Sequence, residues 1–170
     1  MMSDRFVSAF EQMIRNEGGY VLHTVAGDRG GMTYAGIARN AWPGWEGWAE
    51  IDSGREPTAQ MVRAFYHQHF WTPIRGDDIS DDRVAQTIFD FAVNAGVRTA
   101  VVLAQTVVGT TPDGKLGPIT RDAINATDPD LFLARYALAK IARYCAIVRR
   151  DRSQAKFLLG WTSRALRGVA

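Results

Sequence analysis

Apolar residues recur every three or four positions along most of the chain, which is the spacing of one face of an α-helix. The glycine-rich segment 18–36 interrupts this pattern. It contains two short runs of residues typical of β-strands, one on each side of a predicted turn at 27–31. The sequence therefore predicts a mainly α fold of the α+β class, with a small β-hairpin lobe next to a helical lobe. The predicted helices cover 3–17, 58–70, 83–95, 98–108, 119–126, 130–150 and 153–166.

Composition supports one folded unit. The chain has 170 residues, of which 46% are hydrophobic, and this is enough for a single domain with a sizeable core. We expect one domain over 1–170, with an N-terminal region over 1–82 and a helical lobe over 83–170. The net charge of +2 is too small to indicate a nucleic-acid partner. We expect a monomer, and the single cysteine, Cys145, excludes an intramolecular disulfide.

The N-terminal segment is helical and charged. Asp4, Arg5 and Glu11 interrupt any apolar run there, so the sequence predicts neither a signal peptide nor a membrane span. We therefore expect the protein to be made in the cytoplasm.

One acidic residue lies on the apolar face of the first helix. Glu17 follows Met13 by four positions and Ile14 by three, so helical geometry points its side chain inward. The partial negative charge of the helix C-terminus and the loss of hydration both favour its protonated form. A carboxylic acid that stays neutral near physiological pH can act as a general acid.

Two more polar residues lie in the glycine-rich loop after this helix. If the hairpin folds back over the helix end, Asp28 and Thr33 meet Glu17 in one cleft. A neutral and an ionised carboxyl in different surroundings form the pair that breaks a glycosidic bond. The alternative is that the three residues only end a helix, make a turn and occupy a strand.

The runs 17–20 and 28–37 resemble the signature of the glycoside hydrolase family 108 lysozymes, which are N-acetylmuramidases of phages and bacteria. Segments 66–71 and 90–96 are similar to other parts of this family, and 113–120 is similar to its peptidoglycan-binding region. The resemblance spans nearly the whole chain and implies a lysozyme-like fold. The chain departs from the family pattern at 22–27, where the family has a shorter segment, and at Arg29, where proline is common.

The resemblance implies roles for the three polar residues. Glu17 would be the general acid in hydrolysis of the β-1,4 bond between N-acetylmuramic acid and N-acetylglucosamine. Asp28, directly or through a water held by Thr33, would stabilise the transition state or activate the nucleophile, with retention and inversion both open. We expect no metal and no cofactor, because His67 and His69 point to different sides of a helix.

Further residues are predicted to contact the substrate. Asp90 and Asn94 lie four positions apart on one helix face, where they either line a sugar cleft or satisfy backbone groups. Tyr20, Tyr34 and Tyr66 offer rings and hydroxyls to a sugar, although buried aromatic residues more often belong to the core.

The partners follow from the resemblance and from the charges. Peptidoglycan glycan strands would be the substrate of a phage endolysin that leaves the host cytoplasm through a holin-type pore or another export route. Arginines lie among apolar residues at the C-terminus, so they are either solvated or contact an anionic wall or membrane surface. Two alternatives stay open: a non-catalytic peptidoglycan-binding or secretion-associated protein, and a lytic transglycosylase.

Overall fold

The computed structural model describes residues 2–24 and 31–169. The chain divides into two compact units, Met1–Trp71 and Thr72–Ala170. The prediction of a mainly α fold with one small β element is confirmed, whereas the division of the sequence at residue 82 stays a prediction. The first unit contains α1 (Asp4–Asn16), β1 (Leu22–Thr24), β2 (Met32–Tyr34), β3 (Ile37–Ala38), α2 (Gly47–Asp52), α3 (Ala59–Tyr66) and a π-helical turn (His67–Trp71).

Over residues 72–169, the regular elements of the second unit are all helical. It contains a 3-10 turn (Gly76–Asp78), α4 (Asp82–Ala95), α5 (Val97–Val108), α6 (Pro118–Ala126), α7 (Pro129–Arg150), a second 3-10 turn (Arg152–Phe157) and α8 (Leu158–Arg167). In the described part of the chain, none of the helices has the length and apolar character needed to cross a bilayer.

Helix α1 forms the core of the first unit. The Ser3 hydroxyl accepts a hydrogen bond from the Phe6 backbone N–H at 3.2 Å, which caps the helix start. The apolar residues predicted for the inner face are buried, among them Phe6, Phe10 and Met13. The Phe10 ring lies 5.7 Å from the Tyr66 ring, so α1 packs against the end of α3.

The three strands form one antiparallel sheet in the order β1-β2-β3. Leu22 pairs with Tyr34 across β1 and β2, and Thr33 pairs with Ala38 across β2 and β3. The predicted hairpin thus gains a third strand, because Ala35 and Gly36 both adopt positive φ angles and form a tight turn between β2 and β3. Residues 25–30 of the predicted turn lie outside the described residues.

The second unit is built around α4 and α7. The Asp81 carboxylate accepts from the backbone N–H groups of Arg83 and Val84, so it caps the start of α4. Phe91 on α4 contacts Tyr136 on α7 edge to face, with ring centroids 5.9 Å apart. These buried rings hold the two helices together.

Candidate active site

Glu17 is the first residue after α1. Its backbone N–H donates to the Met13 carbonyl at 3.0 Å. The residue is half-buried. Gly18 and Gly19 follow with φ angles of +91° and +83°, in the left-handed region that favours glycine. The two glycines end the helix, and the Glu17 carboxyl therefore lies at the negative end of the helix dipole.

Tyr66 links the end of α1 to the turn between β2 and β3. Its hydroxyl donates to the Ala35 carbonyl at 2.8 Å. A Cβ on Gly36 would lie only 2.6 Å from the same hydroxyl, so the turn requires glycine there. Burial raises the pKa of Tyr66, and Glu17 in its ionised form raises it further. The fold therefore brings Glu17 within electrostatic range of Tyr66. It also places the Tyr66 hydroxyl against the turn of the sheet.

Thr33 occupies the middle of the three-stranded sheet. It pairs with His23 on one side and with Ala38 on the other. It is partly exposed, whereas its neighbour Tyr34 is buried, because successive residues of a strand face opposite sides. The predicted second carboxylate, Asp28, lies outside the described residues.

Tyr34 and Tyr66 support this region from the core. They are 3% and 2% exposed, so neither ring offers a face to a sugar in this conformation, and both belong to the core. The Tyr34 hydroxyl donates to Glu56 Oε1 at 3.0 Å. Burial, followed by the hydrogen bond to Glu56, raises the pKa of Tyr34 to about 12. Both hydroxyls therefore act as neutral donors that hold the sheet and the residues before α3.

Arg63 takes part in a polar cluster that sequence reasoning missed. Its Nη2 atom lies 2.8 Å from Glu11 Oε1, which joins α3 to α1. Burial and the Glu11 charge raise the pKa of Tyr20, while the charge of Arg63 and its hydrogen bond to Tyr20 lower it. Arg63 thus holds the Tyr20 side chain by a hydrogen bond, while contact of Tyr20 with the substrate stays a prediction. The sequence shows only that Arg63 shares a helix face with Tyr66. This position does not reveal that Glu11 and Tyr20 are the partners of Arg63.

The predicted substrate residues Asp90 and Asn94 lie in the second unit. The Asn94 side-chain amide donates to the Asp90 carbonyl at 2.8 Å, and its Oδ1 accepts a hydrogen bond from Arg164 of α8. Burial raises the pKa of Asp90, although the nearby cations Lys140 and Arg164 oppose this. In this conformation the two residues form a polar cluster where α4, α7 and α8 meet.

Lys140 is the buried cation of this cluster. It is only 5% exposed, and its ammonium lies 3.0 Å from Thr87 Oγ1 and 4.8 Å from the centroid of the Tyr136 ring. Burial lowers the pKa of Lys140 to about 8, although the negative charge of Asp90 opposes this. The spacing of apolar residues along α7 did not predict a lysine in the core.

A pocket of about 500 Å³ lies between the tryptophan segment and α3. Trp42 is partly exposed in its wall, while Trp45 and Trp48 are buried. The Trp42 ring is held by Phe65 and His69, with centroid distances of 5.0 and 4.6 Å. The wall includes two exposed polar residues, Glu46 and Gln68. An aromatic ring with polar groups around it suits a polyhydroxylated ligand.

A metal would need several ligating side chains close together. Over residues 2–24 and 31–169, no three histidine, cysteine, aspartate or glutamate side chains form such a group.

Comparison with known proteins identifies both parts of the chain. The family model described as glycosyl hydrolase 108 matches residues 10–96, and the model described as a predicted peptidoglycan domain matches residues 99–166. The structure of SagA from Brucella abortus is 26% identical, with a TM-score of 0.74 over 96% of this chain and 91% of that chain. A search of curated proteins found no match.

These matches confirm the predicted family and the lysozyme-like fold. The first family model covers the second half of α1 with Glu17, the sheet, α2, α3 and α4. The second model covers nearly all of α5 to α8, from residue 99 to residue 166. The chain belongs to the glycosyl hydrolase 108 family and is a glycoside hydrolase that acts on peptidoglycan.

Proposed function

We propose that the protein is an N-acetylmuramidase that hydrolyses the β-1,4 bond between N-acetylmuramic acid and N-acetylglucosamine, with Glu17 as its general acid. The position of Glu17 carries this proposal. Its carboxyl is half-buried at a helix C-terminus, directly before two glycines and within electrostatic range of Tyr66. A helix C-terminus and partial burial both favour a neutral carboxyl, which is the form that donates a proton.

The proposed reaction begins with proton transfer from Glu17 to the glycosidic oxygen. The bond between that oxygen and the anomeric carbon breaks, and a water molecule supplies the hydroxyl that the anomeric carbon gains. The remaining proton of this water passes to the carboxylate that acts as general base, which is Asp28 with inversion or Glu17 itself with retention. We propose Asp28 as the second carboxylate, acting directly or through a water held by Thr33. The partly exposed side of β2 that carries Thr33 supports this role. Tyr66 stays protonated, and its hydroxyl bond to Ala35 keeps the β2–β3 turn at the helix end.

We also propose a glycan contact in the pocket beside α3. Trp42 is the partly exposed tryptophan of the 42–48 segment, and its ring is held in place by Phe65 and His69. Glu46 and Gln68 supply hydrogen-bonding groups in the same wall. Asp90 and Asn94 stay predicted glycan contacts.

The test compares Glu17→Gln with Glu50→Gln on purified peptidoglycan. Glutamine cannot donate the proton, so we expect Glu17→Gln to lose about 10²- to 10⁴-fold in rate. Glu50 is the matched control, because its carboxylate only pairs with Arg55 at the surface, at 2.6 Å, and its loss should leave the rate nearly unchanged. The measurement is the release of reducing ends, with thermal unfolding as the check on folding.

Mass spectrometry of the released fragments distinguishes the alternatives. A muramidase adds one water per bond broken, whereas a lytic transglycosylase leaves anhydromuramic ends without adding water. Full activity of a folded Glu17→Gln protein would contradict the proposed acid. Wall binding without any bond cleavage by the unmodified protein would instead favour a non-catalytic peptidoglycan-binding protein.

We further propose that the hydrolysis weakens the cell wall enough to lyse the cell, as an endolysin does. The similarity to a protein of Brucella abortus means that this proposal does not depend on a phage origin. The export route and the monomeric state stay predictions, which turbidity assays, cell fractionation and light scattering would test.

A further inference from the structure

Helix α8 and the residues directly beside it expose several large apolar side chains. Leu159 is 79% exposed, Leu166 is 53% exposed, and Phe157 and Val169 are 45% and 44% exposed. Leu159 and Leu166 are seven positions apart, so they share one helix face two turns apart. Single exposed apolar residues are ordinary, but several within one short segment mark an interaction surface.

The outward face of α8, which carries Leu159 and Leu166, is not needed to hold the helix in place, whereas Phe157 stacks on the Trp161 ring of the other side at 5.7 Å. The opposite side anchors the helix, with the Trp161 ring 5.3 Å from the Tyr144 ring of α7 and Ala165 only 1% exposed. Arg164 adds a hydrogen bond to Asn94 of α4. The two exposed leucines can therefore be replaced without loss of the core contacts of α8.

Basic residues are concentrated in the same segment of the chain. Segment 149–169 contains six basic residues and one acidic residue, a net charge of +5. The single acid, Asp151, accepts hydrogen bonds from Ser153 and Gln154. Within the described part of the chain, five of the cations are exposed and form no salt bridge: Arg149, Arg150, Arg152, Lys156 and Arg167.

We propose that the outward face, defined by Leu159 and Leu166 with Val169 just after the helix and the five exposed cations of this segment, binds the surface of an anionic phospholipid bilayer. An amphipathic helix rich in basic residues lies in the plane of such a surface, with its apolar side chains between the lipids and its cations at the headgroups. A water-soluble polyanion such as a wall polymer would engage the cations but leave the leucines in water. The apolar exposure therefore favours a bilayer, and it does so independently of the proposed hydrolysis.

The experiment measures sedimentation of the full-length protein with vesicles that contain no peptidoglycan. One set of vesicles is pure phosphatidylcholine, and the other contains 30 mol% phosphatidylglycerol. We expect binding to the anionic vesicles only, and weaker binding as salt is added. The double variant Leu159→Ser/Leu166→Ser should lose at least about tenfold in affinity. The triple variant Arg149→Gln/Arg150→Gln/Arg152→Gln should lose about 100-fold, since each cation near an anionic surface contributes about tenfold or less.

Matched controls lie elsewhere in the second unit. Ile119 of α6 is 78% exposed, so Ile119→Ser removes an exposed apolar side chain outside the face. Arg135→Gln removes one exposed cation of α7. Both controls should bind as the unmodified protein does, and thermal unfolding should show that all variants fold.

Two results would overturn the proposal. The first is absence of binding to anionic vesicles. The second is that the leucine variant binds as well as Ile119→Ser while only the arginine variant weakens. That pattern, together with retained binding to purified cell walls, would make a soluble or wall-bound polyanion the partner. Because the vesicles carry no glycan, neither result bears on the role of Glu17.

Discussion

At the scale of single residues, Gly36 makes the geometry around Glu17 possible. Its φ angle is +80°, and the space that a Cβ would occupy is filled by the Tyr66 hydroxyl. That hydroxyl binds the carbonyl of Ala35, the residue before Gly36. The turn between β2 and β3 and the Tyr66 side chain are therefore fitted to each other.

We expect Gly36→Ala to lower the free energy of unfolding by about 2 to 4 kcal/mol, from left-handed backbone strain and displacement of Tyr66. Gly44→Ala is the control, because a Cβ there meets nothing within 4 Å and the φ angle is not positive. Its effect should stay within about 0.5 kcal/mol. Urea unfolding measures both variants. Equal stability of the two would show that the turn tolerates a side chain.

At the scale of elements, Lys140 sets a pH dependence for the packing of α4 against α7. Its ordinary pKa is 10.5, and burial lowers it to about 8 in the folded protein. Between these values the unfolded chain holds a proton that the folded chain has released. The free energy of unfolding therefore rises as the pH rises from about 8 to about 10.5. This gain is lost again as the pH falls back to 8.

The prediction concerns the difference between the unmodified protein and Lys140→Met. Methionine fills a similar volume without the amine, so the difference isolates this group from other titrations. The free energy of unfolding of the unmodified protein should gain about 3 kcal/mol relative to Lys140→Met between pH 7 and pH 11. The exposed Lys115 provides the control variant Lys115→Met. A constant difference across this range would mean that Lys140 titrates alike in both states.

At the scale of the whole molecule, the family models and the compact units divide the chain differently. The models meet between residues 96 and 99, whereas the units meet after Trp71. Helix α4 therefore belongs to the hydrolase model by sequence and to the helical unit by its packing. Its buried residues include Val84, Ile88 and Phe91.

This difference predicts how fragments behave. A fragment of residues 72–170 keeps α4 and should unfold cooperatively on heating, as a packed domain does. A fragment of residues 99–170 lacks α4 and would expose the faces of α5 and α7 that pack against it. Calorimetry should show a cooperative transition only for the longer fragment. A sharp transition in the shorter one would make the peptidoglycan model an independent domain.

Short-range features were predictable, and long-range ones were not. Thr58 and Asp81 cap their helices as short-range signals indicate. The last predicted helix, 153–166, instead begins as a 3-10 turn and becomes α-helical only at Leu158. The apolar pattern does not distinguish these two kinds of helical turn over so few residues.

The sequence by itself determined that Glu17 ends the first helix, because this depends only on neighbours within one helical turn and on the glycines that follow. Tertiary structure decided that Tyr34 and Tyr66 belong to the core. It also decided that Arg63 meets Glu11, 52 positions away, and that Lys140 meets Thr87, 53 positions away. Such contacts depend on the path of the whole chain, which local periodicity does not contain.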